Sequence, residues 1–163
     1  AQFASTNPAQ ALRGPSAQRL LEGLIRLAAH PSDPHDCSLL APAMEALCNL
    51  LDSVETEPPE HPEELAAIAE AALRAVSVSV PNLVLPEGAD ADEGTYGALR
   101  SAASEALAAA ARVAGVDACS ERVEPLLRQA WCGLAEAALF ALCCFAEGVW
   151  GSGVEGRSAQ AAA

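Results

Sequence analysis

The chain contains no lysine, and its nine basic residues, all arginine, stand against 22 acidic ones for a formal net charge of -13. Nucleic-acid binders neutralise phosphate backbones with clustered Lys and Arg, so this charge balance argues against nucleic acid as a partner. Aromatic residues make up only 4%, and Tyr96, Trp131 and Trp150 are too few to form a base-stacking platform. Long apolar runs are also missing. The apolar run from Ala137 to Phe145 is about half of the roughly 20 residues a membrane-spanning helix needs, so no membrane insertion is expected. No G-x-S-x-G elbow, Gly-rich phosphate loop or H-E-x-x-H occurs, so the common hydrolase, nucleotide and zinc-protease signatures are absent. The chain has no initiator Met, and Ala1 to Ala11 lack the charged and apolar regions of a secretory signal. It reads as a processed product or an excerpt, with no legible address.

What is present points to helix. Of 163 residues, 52% are apolar and 38 are alanine, with mean hydropathy +0.20. Alanine is the best helix former because it loses no side-chain entropy. The length suits one domain. Residues 1–15, with Pro8, Gly14 and Pro15, read as an extended arm, 16–148 as a single helical domain, and 149–163, rich in glycine, as a flexible tail.

Within the domain the spacing predicts about five amphipathic helices. The first runs from Ser16 to His30, with Leu20, Leu21, Leu24, Ile25 and Leu27 at i, i+3, i+4, i+7 spacing. Pro31 and Pro34 end it. A second starts near Asp36 or Ser38, tolerates Pro42 in or just after its first turn, and carries Met44, Leu47, Leu51 and Val54 inward. The third starts at Pro62 with Glu63 and Glu64 at the positive end of the helix dipole. Ser77 to Leu85 then reads as a helix end followed by an extended packed segment. The fourth spans Thr95 to Val113 and stops at Gly115. The fifth opens at Asp117 or Ser120, holds Pro125 in its first turn or two, and runs to Val149. Short links make neighbours antiparallel.

The six cysteines allow three disulfides. On a single fifth helix Cys119 and Cys132 lie roughly 20 Å apart at about 1.5 Å per residue, whereas a disulfide needs about 4.4 to 6.8 Å between Cα atoms. Cys132, Cys143 and Cys144 sit among Trp131, Leu134, Leu139 and Phe140, where free cysteine behaves as a small buried hydrophobe. Reduced structural thiols are the expectation. Bridges from Cys37 or Cys48 to Cys119 or Cys132 are the alternative, and belong to an oxidising compartment.

Catalytic and metal candidates are thin. His30 and His35 flank a turn with Asp33, Asp36 and Cys37, without a standard zinc spacing. Glu87, Asp90, Asp92 and Glu93 form an acidic loop that lacks the ligand spacing of an EF-hand. His61 reads as a helix-start residue, and Glu63, Glu64 and Glu70 as exposed-face charge. Trp131 reads as core and Trp150 as an anchor to another surface. No catalytic residue, cofactor or metal site is assigned.

From Leu20 to Asp52 the sequence reads LLEGLIRLAAHPSDP and then AMEALCNLLD. This resembles one armadillo or HEAT-type unit, a helix L-x-x-L-I-x-L, a Pro/Asp turn and a helix A-x-x-A-L-x-N-L. The Ala/Leu-rich helices broken by Pro/Glu turns are also similar to the helical half of the GAIN-type region of polycystin-like proteins. Either resemblance implies a helical surface that holds other proteins. The expected fold class is all-α, an irregular stack or bundle of antiparallel helical hairpins. The expected role is a non-enzymatic scaffold subunit of a larger intracellular assembly, in the cytoplasm, an organelle or the cytoskeleton. The alternatives are a disulfide-bonded module of an extracellular receptor or filament protein, and a helical carrier of a small ligand. From Ala137 onward the last helix is apolar on every side, and such a helix is central or covered by another chain. The expected partner interface is therefore Leu139, Phe140, Cys143, Phe145, Val149 and Trp150.

Overall fold

The computed structural model describes residues 15–29, 39–85, 94–129 and 132–160. Among them the chain is all-α, with six helices, one 3₁₀ turn and no strand. The helices are α1 (Pro15–Ala28), α2 (Leu40–Thr56), α3 (Pro62–Ser79), α4 (Gly94–Ala114), α5 (Val116–Leu127) and α6 (Cys132–Gln160), with the 3₁₀ turn at Val80–Leu83. The arm before Pro15 and the two histidines near the first turn lie outside the described residues.

Local chemistry accounts for most of the boundaries. Pro62 occupies the first turn of α3, followed by Glu63 and Glu64, and the Glu64 and Leu65 N–H groups donate to the His61 carbonyl at 3.0 and 3.3 Å. In α2, Pro42 falls among the first helical positions, whose N–H groups have no intrahelical acceptor anyway. After Ser79 the chain tightens into the 3₁₀ turn that contains Pro81, and Val84 is extended. Val80 and Leu83 are buried. Gly115 joins α4 to α5 in one residue at φ +91°, a conformation that only glycine adopts without strain. Its N–H donates to Ala111 O and its carbonyl accepts from Cys119 N.

The expected fifth helix is two helices. Pro125 lies near the C-terminal end of α5 and not in a first turn. There its ring and missing N–H disrupt the i to i−4 ladder, so α5 stops at Leu127 and α6 begins at Cys132. Cys119 and Cys132 therefore stand on different helices. α6 continues past Gly148 to Gln160. Gly148 is a packing residue: a Cβ placed there would stand 2.7 Å from the Ala108 carbonyl oxygen, so α6 crosses the backbone of α4 at this point.

The helices form two layers. α1, α3 and α5 pack side by side in one and α2, α4 and α6 in the other, while α1 packs on α2, α3 on α4 and α5 on α6. The middle helix of the second layer, α4, presents buried Ala102, Ala103, Ala106, Ala109 and Ala110, small side chains that let its neighbours approach closely. Leu40, Met44, Leu51, Leu99, Leu107 and Phe145 fill the remaining interior.

One arginine ties each pair of same-layer neighbours. Arg74 of α3 bonds Glu22 of α1 at 2.5 Å, and Arg122 of α5 bonds Glu70 of α3 at 3.3 Å. In the other layer Arg112 of α4 clamps Asp52 and Glu55 of α2 at 2.7 and 2.6 Å, and Arg100 of α4 bonds Glu136 of α6 at 2.5 Å. Exposed pairs such as the first two contribute only about 0 to 1 kcal/mol each. Their consequence is register: each fixes which turn of one helix faces which turn of the next.

Candidate functional site

The outer face of α6 leaves large apolar side chains open, with exposed Glu147 among them. Leu139 is 56%, Val149 44% and Trp150 75% exposed, and Cys132 and Cys143 are exposed beside them. Cys132, Leu139, Cys143 and Trp150 are separated by 7, 4 and 7 residues, so they form one stripe along the helix. The opposite face carries Ala137, Ala138, Ala141, Cys144 and Phe145, all buried.

Of the six residues expected at an interface, Leu139, Cys143, Val149 and Trp150 lie on the open side. Phe145 is fully buried and belongs to the core. Phe140 is partly buried, with the Arg100 guanidinium 4.2 Å from its ring centroid, so it serves as the platform for the α4–α6 tie. A segment apolar all round conceals which side is covered. The position of α4 decides it.

Next to the stripe runs a shallow groove of about 450 Å³ between α5 and α6, lined by Asp117, Ser120, Glu121, Glu124, Leu127 and Leu142. Glu124 pairs with Arg128. Asp117 and Glu121 form no ion pair among the described residues. The groove is therefore acidic on its α5 side and apolar toward α6.

The five described cysteines are free, with Cys48, Cys119 and Cys144 buried and Cys132 and Cys143 exposed. Neither Cys48 nor Cys119 nor Cys132 is bridged, and Cys37 lies outside the described residues. The expectation that Cys132 and Cys143 are buried is corrected: they face outward because Ala137, Ala141 and Cys144 take the inward positions. Burial first, then the neighbouring Asp52 carboxylate, pushes the Cys48 thiol up to about 11. Burial likewise pushes Cys119 up to about 11 against the opposing pull of Arg122. Cys144 rises to about 12 through burial, Glu147 and Cys143. Thiolate is the reactive form, so iodoacetamide at pH 8 is expected to label Cys132 and Cys143 at least about tenfold faster than the three buried thiols. Peptide mass spectrometry resolves this, and fast labelling of Cys144 contradicts the placement of α6.

The remaining candidates have structural places. His61 is exposed ahead of α3, Glu63 and Glu64 are exposed in its first turn, and Glu70 pairs with Arg122. Tyr96 is buried and donates to the Leu83 carbonyl, holding the 3₁₀ turn on α4. The His30, His35, Asp33, Asp36 and Cys37 set, the Glu87 to Glu93 loop and Trp131 lie outside the described residues. Among the described residues no group of three His, Cys, Asp or Glu is placed to hold a metal ion. One stretch, Cys132–Trp150, is long and apolar enough to cross a membrane by length and composition, with mean hydropathy 1.7, and a third of it is buried in the fold. No family model matches the chain, and no curated protein or solved structure is detectably similar to it.

Proposed function

We propose that this chain is a non-enzymatic scaffold subunit of an intracellular assembly, an irregular armadillo/HEAT-type stack of three hairpins that binds other proteins across the outer faces of α5 and α6. The observation that carries this reading is the open stripe of Cys132, Leu139, Cys143 and Trp150 on the last helix of the stack. In repeat stacks each hairpin covers the apolar face of its neighbour, and an end hairpin normally turns a polar face outward. Here α6 turns outward leucine, valine and tryptophan, and large, fully desolvated aromatic side chains are the anchors of protein interfaces. An intracellular setting suits five thiols that are free.

Photo-cross-linking in cells tests the proposal. A benzophenone residue at position 139 or 150 is expected to yield a discrete protein adduct, while the same residue at exposed position 63 yields none. Adducts to lipid alone, or none at either stripe position, refute it.

A further inference from the structure

The salt bridges of the first layer have a direction, and it is left incomplete at both ends. In α3, Arg74 reaches back to α1 and Glu70 reaches forward to α5. In α1, Glu22 reaches forward to Arg74, and Arg26 stands four residues after Glu22 just as Arg74 stands four residues after Glu70. In α5, Arg122 reaches back to α3. Arg26, Arg74 and Arg122 are 48 residues apart in succession (74 − 26 and 122 − 74). Arg26 is thus the backward-reaching arginine of the first hairpin, and among the described residues it has no acid to meet. Arg19 is exposed and unpaired on the same terms. At the far end Asp117 and Glu121 of α5 are the forward acids, with no arginine paired to them among the described residues.

The geometry points to end-on stacking of a second copy of this chain, with α1 and α2 of one copy continuing the two layers on α5 and α6 of the next. Charge complementarity selects this occupant. The open side of α1 carries Arg19 and Arg26 beside Leu20 and Leu27, which are 48% and 43% exposed, and so matches the groove of Asp117 and Glu121 with its apolar floor at Leu127 and Leu142. On the exposed face at the start of α2, Leu39 just ahead of the helix and Pro42, Ala46 and Asn49 within it carry no charge and Glu45 is the single acid, so this face is mostly uncharged toward the stripe on α6. Two-fold pairing of α6 with itself about residue 141 sets Leu139 against Cys143, but leaves the arginines of α1 and the carboxylates Asp117 and Glu121 of α5 unmatched across the contact. A head-to-tail contact uses two different surfaces, so it does not close on itself and produces chains of copies.

This inference rests on the reading of α5 and α6 as a protein-binding face, and charge-reversed variants of the full chain separate the two. Sedimentation velocity over a concentration series is expected to show wild-type chains growing into a ladder of oligomers. Arg19→Glu with Arg26→Glu, and separately Asp117→Arg with Glu121→Arg, each alter only exposed side chains. Each pair is expected to weaken association at least about tenfold, with circular dichroism unchanged. Mixing the two variants restores opposite charges across the contact and is expected to restore the ladder. A wild-type chain that stays monomeric, a ladder that survives Arg19→Glu with Arg26→Glu, or a mixture that stays monomeric overturns the inference. A heterologous adduct from position 139 in cells alongside any of these results leaves the protein-binding reading standing.

Discussion

Gly23→Ala and Gly148→Ala are expected to change stability in opposite directions. Both glycines are helical, and in an exposed helix interior the exchange raises stability by about 0.5 to 1 kcal/mol, because alanine has less backbone freedom to lose. At Gly23 in α1 an added Cβ meets nothing within 4 Å, so that full gain is expected. At Gly148 the same Cβ falls 2.7 Å from the carbonyl oxygen and 3.0 Å from the Cα of Ala108. Those are backbone atoms in the middle of α4, and they move only if the two helices separate. α4 also packs on α2, α3 and α5, so separation loosens contacts throughout the second layer. Overpacking of this kind costs about 1 to 3 kcal/mol, and Gly148→Val is expected to lie at or beyond the upper end. Urea unfolding in dilute solution, followed by circular dichroism, measures both signs. Stabilisation by Gly148→Ala means that α6 does not cross α4 where the structure places it.

Raising the pH is expected to unfold the protein between about pH 10 and 12 through three buried thiols. Cys48, Cys119 and Cys144 are 8%, 0% and 3% exposed, and their pKa values rise from 9.0 to about 11, 11 and 12, mainly because burial penalises the thiolate. A folded-state pKa above the unfolded one means that the native state holds its proton more tightly. The associated stability is intact below about pH 9 and is lost as the pH climbs toward the folded values. All three thiols therefore weaken the fold over the same alkaline range, and a typical domain is held by only about 5 to 15 kcal/mol. Each thiol adds up to about 1.4 kcal/mol per pH unit to the slope. Cys144→Ala is therefore expected to lower stability at neutral pH by loss of packing while flattening the alkaline slope by roughly a third. A slope unaltered in that variant assigns the alkaline transition to other groups.

Local signals were legible where the chemistry is local. Pro62 with Glu63 and Glu64 marks the start of α3, and Gly115 marks the end of α4, because proline, carboxylates and a left-handed glycine act within one turn. The extended packed segment expected within Ser77 to Leu85 is corrected: the helix runs through Ser79, and the chain then closes as a 3₁₀ turn over Val80–Leu83 around Pro81, with Val84 extended only after it. Pro125 misled, because a proline reads the same near either end of a helix and only the start at Val116 shows which end it occupies. The arginine interval of 48 residues is present in the sequence, yet it becomes a signal only when Glu22, Glu70, Arg74 and Arg122 are seen to meet across helices. The candidate surface was legible in part: Leu139, Cys143, Val149 and Trp150 are open, while Phe140 and Phe145 are engaged within the fold.

Composition and local pattern sufficed for the all-α class, for the scarcity of positive charge and for several helix starts and stops, since propensity and proline sterics depend on residues a few positions apart, but not for the start of α5 at Val116 or the break before Cys132. Tertiary packing decided which side of the uniformly apolar α6 is covered, which thiols are buried, why Gly148 must lack a side chain, and which carboxylate each arginine meets. Those outcomes depend on residues 36 to 60 positions apart being brought within bonding distance. Among the described residues the same packing sets Arg19 and Arg26 of α1 and Asp117 and Glu121 of α5 at opposite ends of the first layer, because α3 lies between those two helices.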